Sequence, residues 1–247
     1  MTKVVVLGGG YGRRLRPWSL IAPKALIPLH PCPLLRIRAA VPKEIPVTFI
    51  YRNINSMTGP NFVDDLIKHL DPMIETVSFK VDGWRHTIKL ILTMLKNNSD
   101  TEDIIIVNGD LILSPGWFKV IESNSDCHAI RLLVGKGGEG KQLNDEWIRR
   151  SHTITPNADV SKMNAIGVSA IGVKAIGLLE ILSKMIENGR FSDSSSEEPW
   201  FSFLVPQAAK FGMIEISEFN GDWCDVGTWR GVASWYARHR SLFRGWF

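Results

Sequence analysis

The sequence predicts an α/β fold, a mostly parallel but mixed sheet with helices on both faces. Three observations lead there. Short β-branched apolar runs alternate with stretches of helical periodicity. The first run, Val4–Leu7, passes directly into glycines. The 247 residues are 45% hydrophobic and 22% charged, enough apolar content for a real core in one domain spanning 1–247.

Lys3–Leu7 is a continuous β-branched run and reads as a buried strand. Pro46–Tyr51 is a second, with Val47, Phe49 and Tyr51 alternating. Asn61–Leu70 carries Phe62, Leu66, Ile67 and Leu70 on one face and predicts a helix. Thr76–Val81 predicts a strand, and Trp84–Lys96 a helix with Ile88, Ile91, Leu92 and Leu95 in phase. Asp103–Val107 is the clearest interior strand, followed by a short helix at Pro115–Glu122. Cys127–Val134 and Ala165–Val173 read as strands, with Gly135–Asp145 a surface loop or hairpin between them. Lys174–Glu187 is a helix that Gly189 terminates. Ser192–Glu198 is a loop, and Trp200–Lys210 a short helix that must accommodate Pro206. Met213–Ile216 is a strand, and Thr228–Leu242 the closing helix.

Charge is unevenly spread. Residues 1–43 carry Lys3, Arg13, Arg14, Arg16, Lys24, Arg36, Arg38 and Lys43, with no acid before Glu44. Such a region favours phosphorylated ligands. The net charge is only +4, and no helix-turn-helix, zinc-finger or aromatic RNA-binding pattern occurs, so nucleic acid is not the expected partner. No apolar run approaches the length of a spanning helix, and no leader-like segment opens the chain, so no membrane is expected. Cys32, Cys127 and Cys224 are odd in number and match no zinc spacing; they suit a reducing, cytoplasmic setting. His86, His128, His152 and His239 show no partner spacing and read as structural or exposed.

Behind the first strand stands Leu7-Gly8-Gly9-Gly10-Tyr11-Gly12-Arg13-Arg14-Leu15-Arg16-Pro17. Glycines there let backbone N–H groups approach a phosphate, and arginines add bidentate donors. The loop fits neither G-x-G-x-x-G nor the Walker A spacing, and by itself it also admits the lesser reading of a glycine turn with exposed arginines. Two aspartates draw notice further on. Asp110 follows the interior strand, where open α/β sheets bind ligands, although Asn108-Gly109-Asp110 also reads as a plain turn. Asp225 lies in Gly221-Asp222-Trp223-Cys224-Asp225-Val226-Gly227-Thr228, which otherwise reads as a loop with Thr228 or Asp225 capping the last helix.

Taken together, Gly8-Gly9-Gly10-Tyr11-Gly12-Arg13-Arg14-Leu15-Arg16-Pro17 and Pro23-Lys24-Ala25-Leu26-Ile27-Pro28-Leu29 resemble the signature of the sugar-phosphate nucleotidyltransferases, the nucleoside-diphosphate-sugar pyrophosphorylases. That family's double motif runs roughly G-G-x-G-T-R-L-x-P, then P-K-x-L-x-P-V. This chain keeps the glycines, Arg14, Leu15, Pro17, Pro23 and Lys24, with Arg13 in the usual Thr place. The strand-G-D at Asp110 and the W-x-D-V-G-T at Trp223–Thr228 resemble the family's other pieces. The resemblance implies a Rossmann-like nucleotide-diphospho-sugar transferase (GT-A-like) fold. It assigns Asp110 and Asp225 to Mg²⁺, and Leu7, Gly8, Gly9, Gly10, Gly12 and Arg13 to the nucleotide. Gly83, in Asp82-Gly83-Trp84-Arg85, stands where the family contacts the base, though the usual Gln is not kept. Asn164 and Gly167 resemble the sugar-contacting segment with the glycine one place late. No E-K-P occurs between Leu133 and Ser161; Lys136, Lys141 and Lys162 are the available substitutes.

The resemblance implies an enzyme joining a nucleoside triphosphate to a sugar 1-phosphate and releasing pyrophosphate. Arg14 would hold the β- and γ-phosphates, and Lys24 the α-phosphate or the attacking phosphate. Hard Mg²⁺ suits two carboxylates completed by phosphates and water. A β-helix domain like that of acyltransferase-fused relatives is not expected, and a homo-oligomer is allowed. Two alternatives remain: a regulatory or binding subunit of the same fold, and a cytidylyltransferase-type enzyme with a non-sugar phosphorylated acceptor. Trp223 and Cys224 flank Asp225; the first is expected to shape the site and the second to be a packed thiol.

Overall fold

A computed structural model describes residues 2–10, 12–53, 59, 61–80, 83–97, 103–122, 129–136, 141–142, 163–191 and 199–239. The strands are β1 (Lys3–Gly8), β2 (Val47–Arg52), β3 (Ile74–Phe79), β4 (Ile104–Asn108), β5 (Leu111–Leu113), β6 (Ile130–Lys136), β7 (Lys141–Gln142), β8 (Met163–Ile171), β9 (Ile214–Glu218) and β10 (Trp223–Asp225). The α-helices are α1 (Pro33–Ala40), α2 (Phe62–Leu70), α3 (Gly83–Asn97), α4 (Trp117–Glu122), α5 (Ile176–Glu187), α6 (Val205–Lys210) and α7 (Trp229–Arg238).

The main sheet has the order β3-β2-β1-β4-β8-β6-β9, with β7 paired to β8. Pairings among β1 to β4, and between β6 and β9, are parallel, whereas β8 runs against both β4 and β6. The expected mixed, mostly parallel sheet is therefore present. Its central strands are apolar throughout because both faces are covered: Val4, Val5 and Val6 are each fully buried. One face packs on α3, α5 and α6 through Ile88, Ile91, Leu95, Leu179, Leu182 and Ala208. The other packs on α1, α2 and α4 through Ile37, Ile67 and Trp117. Burial of each valine or isoleucine contributes roughly 1.5–3 kcal/mol. Arg131 on β6 is wholly buried; it donates to the Ile121 carbonyl at 2.6 Å and pairs with Glu215 at 3.1 Å, tying α4 and β9 to β6.

Three segments depart from the sequence reading. Pro33–Ala40 is a helix where no element is expected, since eight residues with two arginines leave only a faint apolar stripe. Proline starts it and Leu34 and Ile37 bury it. Trp223–Asp225, read as loop, is a strand: it pairs antiparallel with β5, Cys224 opposite Ile112. Three residues are too few for alternation to register; only the long-range partner makes them a strand. Trp200–Lys210 is not one α-helix. A π-type turn, Trp200–Leu204, leads into α6, which places Pro206 in the first turn, where its missing N–H costs nothing.

Several ends shift by two or three residues, as with β3 at Ile74–Phe79, β6 at Ile130–Lys136 and β8 at Met163–Ile171. Of Gly135–Asp145, Gly135 and Lys136 belong to β6, and Lys141–Gln142 form β7. Residues 192–198, like Cys127, His128, His152 and Lys162, lie outside the described residues. Among the described residues no helix is long and apolar enough to cross a membrane.

Candidate active site

In the order β3-β2-β1-β4, the chain leaves β1 for β2 on one side and reaches β4 on the other. Such a switch point opens a crevice at the carboxyl ends of the strands. A cavity lies there, lined by Leu7, Gly9 and Gly10 at the end of β1 and just beyond it, and by Asn108 and Asp110 at the end of β4 and just beyond it. Lys24 reaches it from a 3-10 turn, Lys24–Leu26, and Ile50, Phe79, Gly83, Trp84 and Thr87 complete it from β2, β3 and α3. Gly8 and Gly12 are buried, and Gly10 is exposed.

The two aspartates reach one place through the small β5–β10 ribbon. Asp225 pairs with Leu111, the residue after Asp110, and the Val226 N–H donates to the Asp110 carbonyl at 2.8 Å. The ribbon thus holds two residues far apart in sequence side by side. Gly227 sits between their carboxylates: a Cβ there would collide with Asp110 Oδ2 and lie 2.9 Å from Asp225 Oδ1. Its N–H donates to Asp225 Oδ1 at 2.7 Å. Lys24 Nζ donates to Asp110 Oδ2 at 2.8 Å, both side chains largely shielded from solvent. Burial, then the charge of Asp110, pushes the Asp225 carboxyl up to about 6; the Gly227 N–H and the charges of Lys24 and Arg14 pull the other way.

Arg14 stands exposed on the 3-10 turn Arg13–Leu15, near enough for its charge to act on Asp225. Arg13 is exposed beside it. The turn is braced by α7: the Trp229 indole donates to the Arg16 carbonyl at 3.0 Å. Helix α7 is capped by Thr228, whose hydroxyl accepts from the Gly231 N–H at 3.0 Å. Of the two capping readings, Thr228 is the one realised.

The sugar-segment residues separate. Gly167 (φ +86°) is packed on Asn108: a Cβ there would be 2.7 Å from Asn108 Nδ2, so this close approach needs glycine. Asn164 lies three residues earlier on β8, opposite Gly135 and Gln142, and does not line the cavity. Trp223 does not line it either; it is buried in the core, its indole nitrogen 2.7 Å from where a Gly135 Cβ would be. Cys224 is a packed thiol, its pKa raised by burial, donating to the Gly231 carbonyl at 3.6 Å. Lys136 pairs with Glu218 at 3.6 Å on the exposed rim of β6. His86 stacks on Phe79 and His239 pairs with Asp222, in keeping with structural roles.

Asn108, Trp84 and Thr87 are cavity residues that the motif reading does not single out. Asn108 could be found two places before Asp110, at the last pleat of a buried strand. Thr87 could be found one helical turn after Gly83, as a hydroxyl on an otherwise buried face.

Among the described residues no three His, Cys, Asp or Glu side chains form a metal-holding group. The pair Asp110–Asp225 nevertheless fits Mg²⁺, which is bound by one or two carboxylates and completed by substrate phosphates and water. It fits neither a zinc nor a calcium cage.

No protein-family model matches the chain. A Kluyveromyces lactis mannose-1-phosphate guanyltransferase is 27% identical over 234 residues, 91% of this chain and 61% of that protein. A Sulfolobus acidocaldarius protein described as a mannose-1-phosphate guanyltransferase is 29% identical over 131 residues, 52% of this chain and 36% of its own length. The chain thus spans less than two thirds of either relative. A Bacillus anthracis structure described as a glucose-1-phosphate thymidylyltransferase in complex with sucrose superposes with a TM-score of 0.67 at 17% identity, covering 97% of this chain and 96% of that one. In fold and in sequence, the chain is aligned with the sugar-phosphate nucleotidyltransferases and has their nucleotide-diphospho-sugar transferase fold.

Proposed function

We propose that this chain is a sugar-1-phosphate nucleotidyltransferase, making a nucleotide sugar and pyrophosphate from a nucleoside triphosphate and a sugar 1-phosphate. The observation that carries the reading is the meeting of Asp110 and Asp225 at Gly227, with Lys24 on Asp110. The guanyltransferase names of the sequence relatives make GTP and mannose 1-phosphate the first pair to test.

The chemistry follows from the charges present. A phosphate oxygen of the sugar phosphate attacks the α-phosphorus in line, and the bond to the leaving pyrophosphate breaks. The nucleophile is already ionised near neutral pH, so no general base is required. Lys24 sits beside Gly10 and Asp110, where its ammonium can hold an α-phosphate oxygen. The glycine loop presents backbone N–H groups to the triphosphate, and Arg14 holds the departing pyrophosphate. Asp110 and Asp225 would hold Mg²⁺, which when bound neutralises the phosphate charge developed in such a transfer. Arg13, Gly8 and Gly12 shape the loop, and Gly167 acts through Asn108. Asn164 lies outside the cavity lining, and its contact with the sugar rests on the family resemblance alone.

Purified protein with Mg²⁺ is expected to release pyrophosphate with at least one pair from a panel of four triphosphates and several sugar 1-phosphates. It should also form triphosphate from nucleotide sugar and pyrophosphate, because one phosphoanhydride replaces another. Nucleotide binding without exchange in either direction across the panel would overturn the enzyme and leave a binding subunit.

A further inference from the structure

We propose that the Thr87 hydroxyl reads the nucleobase and sets which triphosphate this chain prefers; the inference rests on the nucleotidyltransferase reading. The cavity has two unlike sides, separated by the end of β1. On the β4 side are Lys24, Asn108 and Asp110, which suit phosphate and sugar. On the β2–β3 side are Ile50, Phe79, Trp84 and Thr87 with the backbone of Gly83. The loop itself marks the division: a Cβ on Gly9 would lie 2.6 Å from the Phe79 ring, whereas one on Gly10 would lie 3.9 Å from Lys24 Nζ. A flat heterocycle attached to a triphosphate suits such a cavity, with the ring on the apolar side.

A mainly apolar pocket selects among bases only through a polar group aimed at the ring's edge. Thr87 is the side-chain hydroxyl available for this among the lining residues. It is 6% exposed, yet no described residue hydrogen-bonds to it, unlike Thr93 on the same helix, whose hydroxyl donates to the Lys89 carbonyl at 2.9 Å. Thr87 itself is buried, but its hydroxyl is not among the fully enclosed polar atoms that lack a partner; it opens on the cavity, within reach of a ligand. Its position one turn beyond Gly83 places it on the cavity face of α3, with Ile88 and Ile91 turned into the core.

The test is calorimetric binding of GTP, ATP, UTP and CTP, each separately, to the full chain and to Thr87→Val and Thr87→Ser, with circular dichroism to verify folding. Val keeps the shape and removes the hydroxyl; Ser keeps the hydroxyl. The preferred triphosphate is expected to lose about tenfold in affinity in Thr87→Val, the scale of one hydrogen bond, with the least preferred nearly unchanged and Thr87→Ser close to wild type. Unchanged affinities and ranking in Thr87→Val overturn this inference alone. Equal loss for all four also overturns it, because the hydroxyl would then serve ribose or phosphate. Failure of the wild-type chain to bind any of the four overturns the nucleotidyltransferase reading, and this inference with it.

Discussion

Replacing Asp225 by Asn should make the metal-free protein more stable at neutral pH while removing its activity. Asp225 is pushed from 3.8 up to about 6 by burial and by the charge of Asp110. A carboxyl raised in the folded state stabilises fully below its unfolded pKa, near 4, and that stabilisation is lost as pH rises through about 6. At about 1.4 kcal/mol per unit, the two-unit rise amounts to roughly 2–3 kcal/mol. The Asn side chain carries no charge and can still accept the Gly227 N–H through its Oδ1. The assay is urea unfolding of both proteins in chelator at pH 4 and pH 8. Relative to wild type, the variant should gain roughly 2–3 kcal/mol between the two pH values. Added Mg²⁺ at pH 8 should then stabilise the wild type and leave Asp225→Asn little changed. A variant-minus-wild-type difference that is flat with pH, or that falls as pH rises, refutes the reasoning: Asp225 would then not be held beside Asp110 in a shielded site.

Asp110→Asn and Asp225→Asn should each lower turnover at least about a hundredfold with the fold intact, the scale of losing one key electrostatic group; near-normal rates in both would remove them from the site. Arg14→Ala should raise the KM for triphosphate and pyrophosphate much more than Arg16→Ala, because the Arg14 charge reaches Asp225 whereas the Arg16 contact to Trp229 is made by its backbone. Equal effects would mean that only diffuse positive charge matters. Gly227→Ala should fold yet lose Mg²⁺ binding in calorimetry, since its methyl would fill the place between the two carboxylates; retained binding would show that they part freely. Thr228→Ala should lower stability by about 1 kcal/mol in urea melts through loss of the α7 cap, and an unchanged midpoint would discount that hydrogen bond.

Several features were legible in the linear pattern because their causes are local. Val4–Val6 predicted a doubly buried strand from composition alone, and α3 and α5 appeared in the periodicity of their buried leucines and isoleucines. The glycine loop, Lys24 and Asp110 could be placed because each lies within a few residues of such an element. Other features depend on partners far along the chain. Trp223–Asp225 becomes a strand only because Leu111–Leu113 lies beside it, and this pairing brings Asp225 to Asp110. The antiparallel β8 inside a parallel sheet, which sets Gly167 against Asn108, leaves no mark in local spacing. The place of Thr87 on the cavity wall arises from α3 packing over β2 and β3, and the raised Asp225 carboxyl from burial beside a second charge. Propensity and periodicity act over a few residues, whereas burial, charge proximity and strand pairing act through space. The sequence by itself therefore determined the elements whose burial pattern is local and the chemical groups they carry, and the tertiary structure decided the remaining elements, such as Trp223–Asp225, and which of those groups meet.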